Sequence, residues 1–389
     1  MRILLTADPE LPVPPKLYGG IERVIDILVR ELRVRGHEVG LVAHRDSIVV
    51  ATKMFAWPGL RSQNRWDVLR NTFALWRAVR LFKPDVVHSF SRMAYLLPLM
   101  LTQGKKQKVE NGKQRTEDRR QMSGLISDLP PGRRPLRAGG RPPTSGLRLL
   151  MSYQRKPTER QVARAVKLAG STLAFTGCSE HICREGRTGG GKWRAIPNCV
   201  ELDKYTFQSS VPSDAPLVFL SRVERIKGAH TAIAVAKRTG RRLMIAGNHG
   251  SAGEEGRYWN LEILPHIGKN GVEYVGAVDD VQKNNLLGHA AGMIVPIEWD
   301  EPFGIVFAEA LACGTPVISC PRGALPEIVR NGVDGFLVNS VEEACIAVGK
   351  LPAINRADCR QRAETAFSSG VVVKHYLELY SDMLRQGHE

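Results

Sequence analysis

An α/β fold with two parallel-sheet domains is what this sequence predicts, and three observations carry the prediction. Strand and helix patterns alternate along both halves of the chain, which argues for parallel sheets with helical crossovers. A polar stretch containing Ser and Pro, Gln208–Pro216, separates the halves. The length of 389 residues, with 43% hydrophobic content, suffices for two separate cores.

The first half reads as strand Ile3–Thr6, helix Gly20–Arg35, strand Glu38–Ala43, helix Trp66–Phe82, strand Asp85–His88 and helix Met93–Leu101. In the first helix Ile21, Val24, Ile25, Leu28, Val29 and Leu32 recur every three or four residues and define one buried face, and Gly36 stops it. The start Met1–Asp8 turns polar too soon for a signal peptide, and no run of 18 apolar residues appears. Order resumes at Leu147–Tyr153, with helix Glu159–Leu168 and strands Thr172–Thr176 and Trp193–Ile196. The second series runs through strand Leu217–Leu220, helix Gly228–Arg238, strands Leu243–Ala246 and Val272–Val275, helix Val281–Ala290 and strand Met293–Pro296. An amphipathic helix, Val371–Leu384, ends the pattern. The expected division is therefore residues 1–207, residues 208–370, and a C-terminal helix in residues 371–389.

The net charge of +16 is uneven. Residues 101–150 hold 12 Lys/Arg against 4 Asp/Glu, so about an eighth of the length supplies half of the excess. Residues 102–146 lose apolar periodicity and read as a basic, disordered insertion. It has no aromatic residue for base stacking, which argues against nucleic acid; peripheral membrane contact through a basic surface stays open. Seven cysteines, odd in number and without C-x-x-C spacing, suit a reduced, cytoplasmic protein.

Chemistry concentrates in Glu301-Pro-Phe-Gly-Ile-Val-Phe-Ala-Glu309, where two carboxylates lie eight residues apart across a Gly turn and a helix start. Gly304 lets backbone approach a ligand, and the following helix begins with unpaired N–H groups suited to a diphosphate. Glu309, one turn in, can reach ribose hydroxyls, and Glu301 can face a sugar. The plain alternative is a strand, a turn and an amphipathic helix with solvated carboxylates. Earlier, Ser221-Arg-Val-Glu-Arg-Ile-Lys-Gly228 follows a strand and opens a helix, placing Arg222 and Lys227 five positions apart at the sheet's carboxyl edge, where cations can neutralise a diphosphate. Gly19-Gly20 precedes the first helix, and His88 ends a strand; a simple turn and an ordinary strand-end histidine are the alternatives. Gly186–Lys192 mimics a phosphate loop, but Trp193 stands where Ser or Thr must hold magnesium. Asp279-Asp280 reads as helix capping, so no catalytic metal is implied.

The block from Glu301 through Ala312-Cys-Gly-Thr-Pro-Val-Ile-Ser319, Arg322-Gly-Ala-Leu-Pro-Glu327 and Asn331-Gly-Val-Asp-Gly-Phe-Leu-Val338 resembles the retaining glycosyltransferases of family 4, which have the GT-B fold. The resemblance implies two Rossmann-like domains facing across a cleft, the acceptor held by the first and the nucleotide by the second. It implies transfer of a hexose from a nucleotide diphosphate sugar, a co-substrate rather than a cofactor, to an acceptor hydroxyl with retention. Glu301, Arg222 and Lys227 are then the catalytic residues. Gly19, Gly20, His88, Gln154, Phe303, Gly304, Ile305, Val306 and Glu309 bind substrate. Gln154 departs from the family pattern, which commonly has a second histidine there. Pro197-Asn-Cys-Val-Glu-Leu202 is similar to the family's junction element, with Cys199 and Glu201 as substitutions, and Asn198 reads as junction structure. A GT-B epimerase or phosphorylase stays open as an alternative. So does a catalytically impaired nucleotide-sugar-binding protein whose basic loop binds RNA or lipid.

Overall fold

The computed structural model describes residues 1–15, 19–102 and 146–386; the expected insertion at 102–146 lies almost wholly outside the described residues. Among them, the first sheet has seven strands in the order β3-β2-β1-β4-β5-β6-β7. These are β1 (Arg2–Thr6), β2 (Glu38–Ala43), β3 (Lys53–Ala56), β4 (Val86–Ser89), β5 (Arg148–Tyr153), β6 (Leu173–Gly177) and β7 (Lys192–Ala195). The second sheet has six, in the order β10-β9-β8-β11-β12-β13. They are β8 (Leu217–Leu220), β9 (Leu243–Ala246), β10 (Val272–Gly276), β11 (Gly292–Val295), β12 (Val317–Ser319) and β13 (Gly335–Leu337).

Every ladder in both sheets is parallel. The central strands are buried on both faces, as helix-covered parallel strands must be: β4 and β8 have no exposed residue. The strand order reverses between β1 and β4 in one sheet and between β8 and β11 in the other, so each sheet has its crevice at the carboxyl ends of those strands.

Helix α1 (Gly20–Val34) buries Val24, Ile25, Leu28, Val29 and Leu32, the face read from its periodicity. Its end is a Schellman turn: Gly36 N–H donates to Arg33 at 2.9 Å and His37 N–H to Leu32 at 3.1 Å. Helix α2 (Arg65–Phe82) is capped by the Asn64 side chain, which accepts from Trp66 and Asp67 N–H. The helix Ser369–Arg385 packs on α1 and sends Val372, Val373, Tyr376 and Tyr380 into the core of the first sheet. The Arg194 guanidinium on β7 donates to Glu378 of that helix at 3.0 Å.

His88 belongs to this packing. It is fully buried, Nδ1 meeting the Tyr380 hydroxyl at 2.7 Å and Nε2 the Ser152 hydroxyl at 2.6 Å. Phe90 and Tyr376 lie 4.3 and 5.0 Å from its ring. Burial pushes its imidazole down to about 3 from 6.5. Between those values the unfolded chain binds more protons than the folded one. The neutral histidine's contribution is therefore complete above the unfolded value and is lost as pH falls through the window, by up to about 1.4 kcal/mol per pH unit. Acidification should lower the thermal midpoint of the wild type more steeply than that of His88→Gln. Parallel pH profiles for the two would show that the histidine does not set the acid limb.

Candidate active site

The second sheet supplies the floor of a cleft of about 970 Å³. After β8 the chain passes Ser221 and Arg222, makes a tight turn at Arg225–Lys227, and enters the helix Ala229–Thr239 through Gly228. Gly228 has φ +77°, and a Cβ there would lie 2.1 Å from the Pro296 carbonyl oxygen, so only glycine lets this turn close onto the end of β11. That closure brings Lys227 against Glu301, the two side chains being about one-tenth exposed and ion-paired. The Lys227 ammonium also lies 4.6 Å over the Trp299 ring, and Trp299 Nε1 donates to Glu301 Oε2 at 3.1 Å. Ala324 N–H donates to the Glu301 carbonyl at 2.8 Å, so the segment after β12 braces the loop from behind. Arg222 lines the same cleft half-exposed, ion-paired with Glu224.

Gly304, at φ +80°, starts the helix Ile305–Ala312 with no side-chain cap. Phe303, Gly304, Ile305 and Val306 all line the cleft, although the Phe303 ring is buried against Phe367 at 5.7 Å. From the first domain Gly19 and Gly20 come over this helix start; a Cβ on Gly20 would sit 3.1 Å from Ile305 Cδ1. Residues 16–18 of the same loop lie outside the described residues.

Glu309 is 5% exposed. Its Oε1 accepts from the Tyr205 hydroxyl and the Lys283 ammonium, each at 2.6 Å, while Oε2 is buried without a hydrogen-bond partner. Burial, with Glu309 adding to it, pushes the Tyr205 phenol far above its ordinary value, so it stays a donor. Lys283 also reaches Asp280 at 3.3 Å, and Asp280 accepts two contacts from Arg23 of α1, at 2.8 and 2.7 Å. Burial opposes ionisation of Asp280, but the Arg23 hydrogen bond and the Lys283 charge outweigh it and hold its carboxyl below the usual range. One chain of alternating charge thus runs from Glu309 across the cleft to the first domain. None of Tyr205, Lys283, Asp280 or Arg23 was legible in sequence as a site residue. Asp279 does cap its helix, in a capping box with Gln282, while its neighbour Asp280 faces the cleft.

Gln154 lines the first-domain wall, where its Oε1 accepts from Asn198 Nδ2 at 2.8 Å; Asn198 Oδ1 is buried without a partner. Glu22 of α1 is 5% exposed beside them, and burial, reinforced by Asp8, raises its carboxyl above the ordinary value. His88 lies apart from these residues. It is not among the cleft-lining residues, because the core beneath β4 and β5 has taken both ring nitrogens. The two domains also meet at the wall of the cleft, which His181 and Pro302 line. Glu327 caps the helix Glu180–Arg187, accepting from Glu180 and His181 N–H at 2.7 and 2.8 Å, and Ser179 Oγ donates to the Pro302 carbonyl at 2.7 Å.

Two family descriptions match the two halves of this architecture: Glycosyltransferase Family 4 over residues 18–109 and Glycosyl transferases group 1 over residues 203–354. The chain belongs to glycosyltransferase family 4. A D-inositol 3-phosphate glycosyltransferase of Mycobacterium marinum is 31% identical over 131 residues, 33% of this family 4 chain and 28% of the relative. A glycogen synthase of Mycobacterium tuberculosis is 32% identical over 178 residues, 44% of this chain and 42% of the relative. The matched segments thus span well under half the length of these curated relatives. Among solved structures, sucrose-phosphate synthase of Thermosynechococcus elongatus superposes with a TM-score of 0.71 at 18% identity, covering 99% of each chain. HepE of Anabaena, solved in complex with UDP and glucose, superposes with a TM-score of 0.66 at 15% identity, covering 98% of this chain and all of its own. These likenesses fix the fold as GT-B.

Proposed function

We propose that this family 4 chain transfers a hexose from a nucleotide diphosphate sugar to an acceptor hydroxyl with retention at the anomeric carbon. Residues 208–370 hold the nucleotide, residues 1–207 hold the acceptor, and the helix in residues 371–389 joins the second unit to the first. One observation carries the reading: an uncapped helix start at Gly304, the Lys227–Glu301 pair and the half-paired Glu309 carboxylate line a single cleft. The diphosphate lies on the helix N–H groups with Arg222 and Lys227 beside it, and the Glu309 carboxylate accepts from a ribose hydroxyl. Glu301, fixed by Lys227 and Trp299, orients the sugar. The UDP and glucose in the Anabaena structure are ligands of the class this cleft would take.

In the reaction the bond from the anomeric carbon to the diphosphate oxygen breaks and a bond to the acceptor oxygen forms on the same face. The acceptor proton passes to the departing phosphate oxygen. The charge that develops on the diphosphate is met by fixed donors and cations of the protein, and no step is assigned to a metal. Activity is therefore expected to persist in excess chelator. Complete loss in chelator, restored specifically by manganese or magnesium, would overturn that assignment. Incubation with candidate donors and acceptors, followed by the anomeric configuration of the product, tests the stereochemistry; an inverted product would contradict it.

A further inference from the structure

Helix α2 is apolar on the side where a surface helix should be polar. Its inward face, with Leu75, Ala78 and Phe82, is buried. On the outward face Trp66, Leu69, Phe73 and Leu81 are 74%, 60%, 66% and 54% exposed. At 100° per residue these four fall within an arc of about 120°. Single exposed apolar residues are ordinary, but four large ones along one helix face form a patch of the kind that marks an interaction surface. Trp76 extends it, with the Phe73 ring at 5.4 Å and the Arg80 guanidinium stacked at 4.4 Å.

The patch is interleaved with exposed Arg65, Arg70, Arg77 and Arg80. The acidic residue of this helix, Asp67, is engaged locally: one oxygen accepts from Arg61 N–H at 3.0 Å and the other lies 4.0 Å from the Arg70 guanidinium. Charge decides the occupant. A two-fold contact between copies would set these four arginines against themselves with only Asp67, already paired with Arg70, to answer them, whereas an anionic lipid surface supplies the countercharge. Arginine stems can lie along the apolar side chains and lift their guanidinium groups to lipid phosphates. Among the described residues no helix is long and apolar enough to cross a membrane, so the geometry is that of a helix lying in the interface plane.

We propose that α2 docks this protein on anionic bilayers, with Trp66, Leu69, Phe73 and Leu81 entering the headgroup boundary and Arg65, Arg70, Arg77 and Arg80 meeting lipid phosphates. The test is co-sedimentation of the full chain with vesicles of phosphatidylcholine alone and of phosphatidylcholine mixed with phosphatidylglycerol. The wild type binds the mixed vesicles and releases at high salt. The Trp66→Ser/Phe73→Ser variant and, separately, the Arg70→Gln/Arg77→Gln variant each lose about ten-fold or more in partitioning. All four positions are exposed, and an unchanged thermal midpoint shows that the fold is retained. Wild-type partitioning by both folded variants would overturn the proposal and move the contact to the basic residues 102–146. So would absence of binding by the wild type, or a wild-type dimer dissociated by Trp66→Ser/Phe73→Ser, which would give the face to a second copy.

Discussion

Lys227→Ala is expected to lower turnover on the order of 10²-fold, the effect of removing one fixed donor from a site where negative charge develops. The lysine is held by a turn that only Gly228 allows, against Glu301 and the Trp299 ring, so its ammonium is fixed in the cleft. Arg222, half-exposed and engaged with Glu224, is the softer partner of the two. The substitution also leaves Glu301 buried with a single indole N–H, and breaking a buried pair by removing one member destabilises by roughly 3 kcal/mol. Stability and catalysis can be separated. Adding Glu301→Gln to Lys227→Ala should recover much of the thermal midpoint, while turnover of Lys227→Ala measured well below its own midpoint reports the catalytic loss alone. A folded Lys227→Ala enzyme with normal turnover would remove the lysine from the leaving-group site.

Glu309→Gln should weaken the nucleoside diphosphate by roughly 1–3 kcal/mol, the range for losing a hydrogen bond to a charged group. The carboxylate is prepared for that bond. Lys283 and Tyr205 hold Oε1 of this cleft-lining residue, and the buried Oε2 is left without a hydrogen-bond partner. Tyr205→Phe should cost less, because Lys283 remains to orient the carboxylate. Isothermal calorimetry with UDP, GDP and ADP checks both variants. Unchanged affinity of Glu309→Gln for every nucleotide that the wild type binds would exclude the ribose role.

The sequence exposes strands that are buried on both faces, because they read as short apolar runs, and it exposes the Glu301–Glu309 run because a turn glycine separates two carboxylates at fixed spacing. It hides β3. That edge strand is mostly exposed, so it has no apolar face to repeat. It also hides the pairing of Lys227 with Glu301, 74 positions apart, and the chain from Glu309 through Lys283 and Asp280 to Arg23, because long-range ion pairs leave no local pattern. It hides the setting of His88 for a related reason. A histidine at the carboxyl end of a strand looks the same in sequence whether it faces the crevice or, as here, the helix packed beneath it. In α2 the regular recurrence of apolar residues around the whole helix obscured which of them would be left outside.

The central claim is that one cleft binds a nucleotide diphosphate sugar through its second domain and releases the diphosphate. The most direct measurement incubates the protein with a panel of nucleotide sugars, with and without candidate hydroxyl acceptors, and follows the free nucleoside diphosphate. The account predicts release from at least one donor, faster with a suitable acceptor, and suppressed in Lys227→Ala. Donor binding in Glu309→Gln should be weakened in parallel. Failure of the wild type to bind or consume any nucleotide sugar, or release that is indifferent to both substitutions, would contradict it.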